Sequence, residues 1–211
     1  MQFDLISFDL QGTLSDSRFS DEFWLELLPR LYAERHSLSP AEAKESLRQR
    51  FMEMGKYDRH FYDSEYWLNS LCPGRSFAEA MGQLQHKPLL FADTLKFIKE
   101  LRQSVQLIVI STTTRSFIDV ELGQHRHHFR HVYSTLDDLN VPGKPARVFE
   151  QIAALVGARP GKALHVGDCP EMDVQNATAA GWRAFHWRKD EPRAALMSGL
   201  KRMIQDGVTW S

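Results

Sequence analysis

Three short apolar runs, each breaking off into polar residues, constrain the fold of this chain more than any other feature. They are Phe3 to Phe8, Leu107 to Ile110 and Ala163 to Val166. Runs this short and rich in β-branched and aromatic residues read as strands buried on both faces, as in a parallel sheet covered by helices. Two further strands fit His131 to Ser134 and Arg183 to Trp187. Helical patterns lie among them at Ala92 to Arg102, at Ala146 to Val156 with Val148, Phe149, Ile152 and Leu155 on one stripe, and at Met172 to Ala180. Strands alternating with helices predict an α/β fold with a mostly parallel sheet covered by helices on both faces.

From about Asp16 to Leu90 the alternation stops and helical signals follow one another. Ser20 heads a first pattern through Phe23, Trp24, Leu27 and Leu28, and Ser39, Pro40 and Glu42 fall at the N-cap, N1 and N3 positions of a second. A third pattern covers Tyr62 to Leu71, closed by Cys72-Pro73-Gly74, and a fourth covers Phe77 to Leu84. The expected domains are a core formed by residues 1–15 and 88–211 and a helical insertion formed by 16–87. Phe23, Trp24, Tyr57, Phe61, Tyr62, Tyr66 and Trp67 read as the core of that insertion, with a subset free to line an apolar pocket.

The 211 residues carry 26 Lys plus Arg against 27 Asp plus Glu, a net charge of -1, which gives no basic surface for nucleic acid or an anionic membrane. Asp4 and Asp9 interrupt the N-terminal apolar stretch, so it does not read as a secretory signal. No apolar run approaches the roughly 20 residues of a membrane span. Cys72 and Cys169 have no partner spacing for a zinc site or a disulfide framework. The expectation is a cytoplasmic protein, monomer or homodimer, with no nucleic-acid or membrane partner. The run His125, His127, His128 and His131 has no acidic or cysteine neighbour in sequence and reads as a solvated face.

In an open α/β sheet, ligands bind outside the carboxyl ends of the strands. The first strand ends in Asp9-Leu10-Gln11-Gly12-Thr13-Leu14, the second in Ser111-Thr112, and the last of the three runs in Gly167-Asp168-Cys169-Pro170-Glu171-Met172-Asp173. Gly143-Lys144-Pro145 precedes the helix at Ala146. A carboxylate nucleophile, hydroxyls, an ammonium and a carboxylate pair suit phosphoryl transfer, where catalysis is mostly positioning and charge neutralisation. Asp9, Asp168 and Asp173 could hold Mg²⁺, a hard ion that prefers oxygen ligands. Taken singly, each residue has a plainer role: Asp9 capping a turn, Asp173 favoured by a helix dipole, Cys169 filling a tight loop.

The order and spacing of these motifs resemble the haloacid dehalogenase superfamily, with its Asp-x-Asp-Gly-Thr loop, a Ser or Thr after the second strand, a Lys, and a Gly-Asp-x-x-x-x-Asp loop. The resemblance spans nearly the whole chain and implies a Rossmann-like three-layer α/β/α core with a helical cap of the type inserted after the first motif. It implies that Asp9 forms an aspartyl-phosphate, that Ser111 or a neighbouring threonine binds the phosphoryl oxygens with Gly12, Thr13 and Thr112, and that Lys144 stabilises the anionic intermediate. It further implies Mg²⁺ held by Asp9, the main-chain carbonyl of Gln11 and Asp168, with Asp173 acting through a metal-bound water or by orienting Lys144. The expected partner is a small phosphorylated metabolite.

Gln11 departs from the pattern, because phosphatases of the family carry there the Asp that serves as general acid and base. An amide has no proton equilibrium near neutral pH. Four readings stand side by side: a phosphatase that is slow or lets Gln11 position water, a 2-haloacid dehalogenase, a phosphonatase using Lys44 or Lys56 as a Schiff base, and a non-catalytic binding protein.

Overall fold

A computed structural model of the protein describes residues 2–206. Five strands form one sheet: β1 (Leu5–Phe8), β2 (Gln106–Ser111), β3 (His131–Ser134), β4 (Ala163–Gly167) and β5 (Arg183–His186). Their spatial order is β3-β2-β1-β4-β5, and every neighbouring pair is parallel. The central strand, β1, is buried along its whole length. The strand order reverses beside it, and ligand crevices form at such a reversal.

Side chains alternate across the sheet. Ile6 and Phe8 join Val109, Phe97, Ile118 and Leu200 in one cluster, while Leu5 joins Ile108, Phe149, Ile152 and Trp182 in another. The helix Ala146–Val156 has the bounds its stripe predicts, and Gly157 ends it in a left-handed conformation. The helix expected at Met172 starts earlier, as a widened turn over Pro170–Gln175 that continues into Asn176–Ala179. Pro170 suits a first turn, because its missing N–H would lack a partner there anyway.

Between β1 and β2 the described chain is helical. Ser39 and Glu42 form the expected capping box, with Glu42 N donating to Ser39 Oγ at 3.3 Å and Ser39 N donating to Glu42 Oε2 at 2.8 Å. Ser20 is not a cap. The helix begins at Arg18, whose N–H donates to Asp16 Oδ1 at 2.8 Å, and Ser20 lies buried inside it, donating to Ser17 O. The third helix is Ser64–Leu71, started by Asp63, which accepts from Tyr66 N, and the fourth is Phe77–Gly82. Phe23, Leu28, Trp67 and Leu68 pack into a cluster that also receives Phe117 from the helix Arg115–Leu122. Where the segment leaves and rejoins the sheet, Asp16 N donates to Leu89 O and Phe91 N to Leu14 O.

His128 departs from the solvated reading of the histidine run. It is buried, and Arg102 Nη1 lies 2.7 Å from its Nδ1, within hydrogen-bond reach. Among the described residues, no helix is long and apolar enough to cross a membrane.

Candidate active site

Asp9 is the first residue past β1, and its N–H donates to Val166 O at 2.8 Å, extending the ladder with β4 by one step. Lys144, 2 % exposed at its side chain, reaches in from the loop before the helix Ala146–Val156. Its Nζ stands 2.5 Å from Asp9 Oδ1 and 2.6 Å from Asp173 Oδ1. Asp173 is held from two further sides: His165 Nε2 lies 3.0 Å from Oδ1, and Cys169 N donates to Oδ2 at 2.9 Å. Below it, His165 Nδ1 is 2.6 Å from Ser7 Oγ. Ser7 and His165 face each other in the register of β1 and β4. A polar column thus rises through the sheet, from Ser7 through His165 and Asp173 to Lys144 and Asp9.

Burial sets the charges in this column. It opposes ionisation of Asp173, but the Lys144 ammonium and the His165 contact outweigh it and hold the carboxyl well below the usual range. Burial likewise works against charge on Lys144, yet Asp173 and Asp9 raise its pKa. Asp9 shares the one ammonium with Asp173, and burial pushes its carboxyl upward. His165 is pushed down by burial, against its contact with Asp173. A neutral imidazole in this position donates from Nε2 to Asp173 and accepts the Ser7 hydroxyl at Nδ1. Gly167 makes room for the arrangement, because a Cβ there would run into the Asp173 carboxyl.

Asp168, after β4, offers the third carboxylate. Oxygen atoms of Asp9, Asp168 and Asp173 lie within 4.8 Å of one another. An all-carboxylate donor set matches a hard divalent cation such as Mg²⁺. Both oxygens of Asp173 already accept hydrogen bonds, so Asp9 and Asp168 would do the holding while Asp173 fixes Lys144. The residues present fit the ion.

The other expected positions lie at the ends of β1 and β2 and in the loops that follow them. Ser111 ends β2 and is buried opposite Ser134. Thr112 is partly exposed. Thr13 and Thr113 are buried with hydroxyls that have no partner. Thr114 is committed elsewhere, 3.1 Å from Ser64 Oγ of the helical segment. Gly12 adopts φ 79°, a left-handed turn that glycine takes without strain.

Four features escaped sequence reasoning. The Ser7–His165 pair left one signal, a polar residue in each of two otherwise apolar strands. Lys189, just past β5, has its Nζ 2.6 Å from Asp168 Oδ2. Lys56 Nζ and Tyr57 Oη each lie 2.5 Å from a carboxylate oxygen of Glu171, tying the helical segment to the last loop. Glu121 is the fourth. It is 2 % exposed, both its carboxyl oxygens lack a hydrogen-bond partner, and so does the buried Gln11 Nε2.

Burial, reinforced by the charge of Asp9 and opposed by Gln11, pushes Glu121 up to about 8 from 4.5. A carboxyl whose folded pKa is raised keeps its proton where the unfolded chain has lost it, so stability falls as pH rises from 4.5 towards 8. Glu121→Gln is therefore expected to stabilise the protein little near pH 4.5 and by about 3 kcal/mol near pH 7. Urea melts of both proteins at the two pH values check the sign.

With this geometry in view, the sequence profile of haloacid dehalogenase-like hydrolases matches residues 3–181, and the chain belongs to that family. The chain is 24 % identical over 168 residues to the GMP/IMP nucleotidase YrfG of Escherichia coli, covering 78 % of this chain and 74 % of the relative. It is 29 % identical over 123 residues to the N-acylneuraminate-9-phosphatase of Mus musculus, spanning 55 % of this chain and 47 % of that protein. Among solved structures, it shares its fold with a phosphatase of the family from Thermococcus onnurineus, with TM-score 0.79, 20 % identity, and coverage of 97 % of this chain and 99 % of that one. The fold is also shared with a 2-haloacid dehalogenase from Pseudomonas syringae, with TM-score 0.64, 20 % identity, and coverage of 88 % and 86 %.

Proposed function

We propose that this hydrolase is a Mg²⁺-dependent phosphomonoesterase that works through a phosphorylated Asp9. The observation that carries this reading is the grip on Asp9: Lys144 pins Oδ1 at 2.5 Å while Asp173 holds Lys144 from behind. Oδ2 is then the nucleophile. It attacks phosphorus, the bond from phosphorus to the substrate oxygen breaks, and the leaving oxygen takes a proton from water. A water molecule then attacks the same phosphorus, gives its proton to solvent, and the Asp9–phosphorus bond breaks to restore the carboxylate. Ser111 and Lys144 donate to the phosphoryl oxygens. Mg²⁺, when bound, adds charge neutralisation at those oxygens.

Gln11 has no proton to exchange, so both proton transfers fall to water and turnover is slow. The helical segment acts as a cap, with Lys56, Tyr57 and Tyr62 on the side of the last loop. The phosphonatase reading is weakened by Lys56 itself, because the hydrogen bond it donates to the Glu171 carboxylate raises its pKa and keeps it an ammonium instead of a free amine.

The substrate is a small phosphorylated metabolite, and the name of the Escherichia coli relative makes purine nucleoside 5′-monophosphates the first to assay. The protein works in the cytoplasm, which suits its two free thiols. The test is release of phosphate from p-nitrophenyl phosphate, GMP and IMP in Mg²⁺ and in EDTA. The expected result is slow hydrolysis that EDTA abolishes. No hydrolysis of any of them, together with metal-independent release of halide from a 2-haloacid, would overturn the proposal.

A further inference from the structure

The acidic trio Asp9, Asp168 and Asp173 carries three carboxyl groups, and Lys144 serves two of them, Asp9 and Asp173. Asp168 has a cation of its own. Lys189, from the loop after β5, folds back so that its Nζ lies 2.6 Å from Asp168 Oδ2. Its stem crosses directly over Gly12: a Cβ on Gly12 would stand 2.6 Å from Lys189 Nζ and 3.0 Å from Asp168 Oδ2. The absent side chain at position 12 is thus the slot in which the ammonium sits, between the turn after β1 and the carboxylate after β4. Asp9 and Asp21 lie close enough to act on its charge as well.

A monovalent cation lodged on a carboxylate that would hold a divalent ion competes with that ion for the same oxygen. We infer that Lys189 is a built-in counter-cation of this site, which balances Asp168 until a divalent metal displaces it. The inference rests on the Mg²⁺ reading above and adds that metal affinity is set against an internal competitor. Lys189 suits the role because its side chain is 59 % exposed, so the ammonium can leave Asp168 for water without stranding a buried charge. Lys144 cannot do the same, being 2 % exposed and bound to two carboxylates. In the metal-free protein each of the three carboxyl groups therefore touches an ammonium, and loading exchanges the Lys189 ion pair for a coordination bond while releasing one flexible side chain.

The test is Mn²⁺ binding at fixed ionic strength, read from the electron paramagnetic resonance signal of the free ion, for wild type, Lys189→Met, Lys189→Arg and Asp168→Asn. Thermal melts would establish that each variant folds. An exposed ion pair is a weak competitor, so Lys189→Met is expected to bind Mn²⁺ about two- to fivefold more tightly than wild type. Lys189→Arg, which keeps the charge, should stay near wild type, and Asp168→Asn should lose the site. Binding by Lys189→Met that equals or falls below wild type, with Asp168→Asn still deficient, would overturn the competition and leave the metal site standing. Binding in no variant, or binding indifferent to Asp168→Asn, would overturn both.

Discussion

Lys144→Met is expected to cost the protein about 3–5 kcal/mol, the usual penalty when one partner of a buried ion pair is removed. The size follows from what is left behind. Methionine fills most of the lysine volume, so packing changes little, but Asp9 and Asp173 then face each other with no cation between them. Asp173 is 1 % exposed at its side chain, and water cannot take over the lost hydrogen bond. Burial pushes the His165 pKa down, which works against its taking over as the cation.

The pH dependence has a definite sign. In wild type the folded pKa of Asp173 is depressed, so its contribution is present above the ordinary carboxylate pKa and fades as pH falls through the folded value. In Lys144→Met that pKa rises, and acid should protect the variant by protonating one of the two carboxyls. Chemical denaturation from about pH 2 to 8 reads both effects, the wild-type loss below the ordinary carboxylate pKa and the variant's relative gain on acidification from pH 8. A variant as stable as wild type at pH 8 would mean that Lys144 is not the charge that binds the column together.

Gln11→Asp is expected to raise steady-state turnover by about 10² to 10⁴, the range that a positioned acid-base group contributes. The gain comes in the two proton transfers that water alone carries in wild type. Glu121 is expected to blunt it. A new carboxyl at position 11 would share a buried region with a second carboxyl whose pKa already stands at about 8, and two adjacent acids cannot both ionise freely. The double variant Gln11→Asp/Glu121→Gln removes that coupling and should exceed the single one. Steady-state assays with p-nitrophenyl phosphate compare the three proteins. Equal rates in all of them would show that proton transfer does not limit this enzyme.

The sheet was legible because its strands announce themselves locally. The runs at Phe3, Leu107 and Ala163 are mostly apolar, with Ser7 and His165 as the polar residues inside β1 and β4, and a strand buried on both faces has no other pattern to show. Capping boxes are local too, which is why Ser39 and Glu42 marked a helix start correctly. Ser20 misled because serine followed by apolar residues also describes a helix interior, and the real start depended on the Asp16 carboxylate two residues before Arg18. The residues Asp9, Lys144, Asp168 and Asp173 stood at strand ends and loops, where sequence order alone points to them.

The supporting partners did not stand out, for a geometric reason. Ser7 and His165 are 158 positions apart, and only the register of β1 against β4 brings them together. Lys189 and Glu121 are ordinary charged residues in sequence. Their meaning comes from a fold-back over Gly12 in one case and from burial on the inner side of the helix Arg115–Leu122 in the other.

The most direct measurement of the central claim is acid quenching of the enzyme during hydrolysis of p-nitrophenyl phosphate in Mg²⁺, followed by mass spectrometry of its peptides. The account predicts a phosphoryl adduct on the peptide containing Asp9, accumulating in wild type because dephosphorylation is the slow step, shorter-lived in Gln11→Asp, and absent from an inactive Asp9→Asn protein. Full turnover by Asp9→Asn, or an adduct on any other residue, would contradict it.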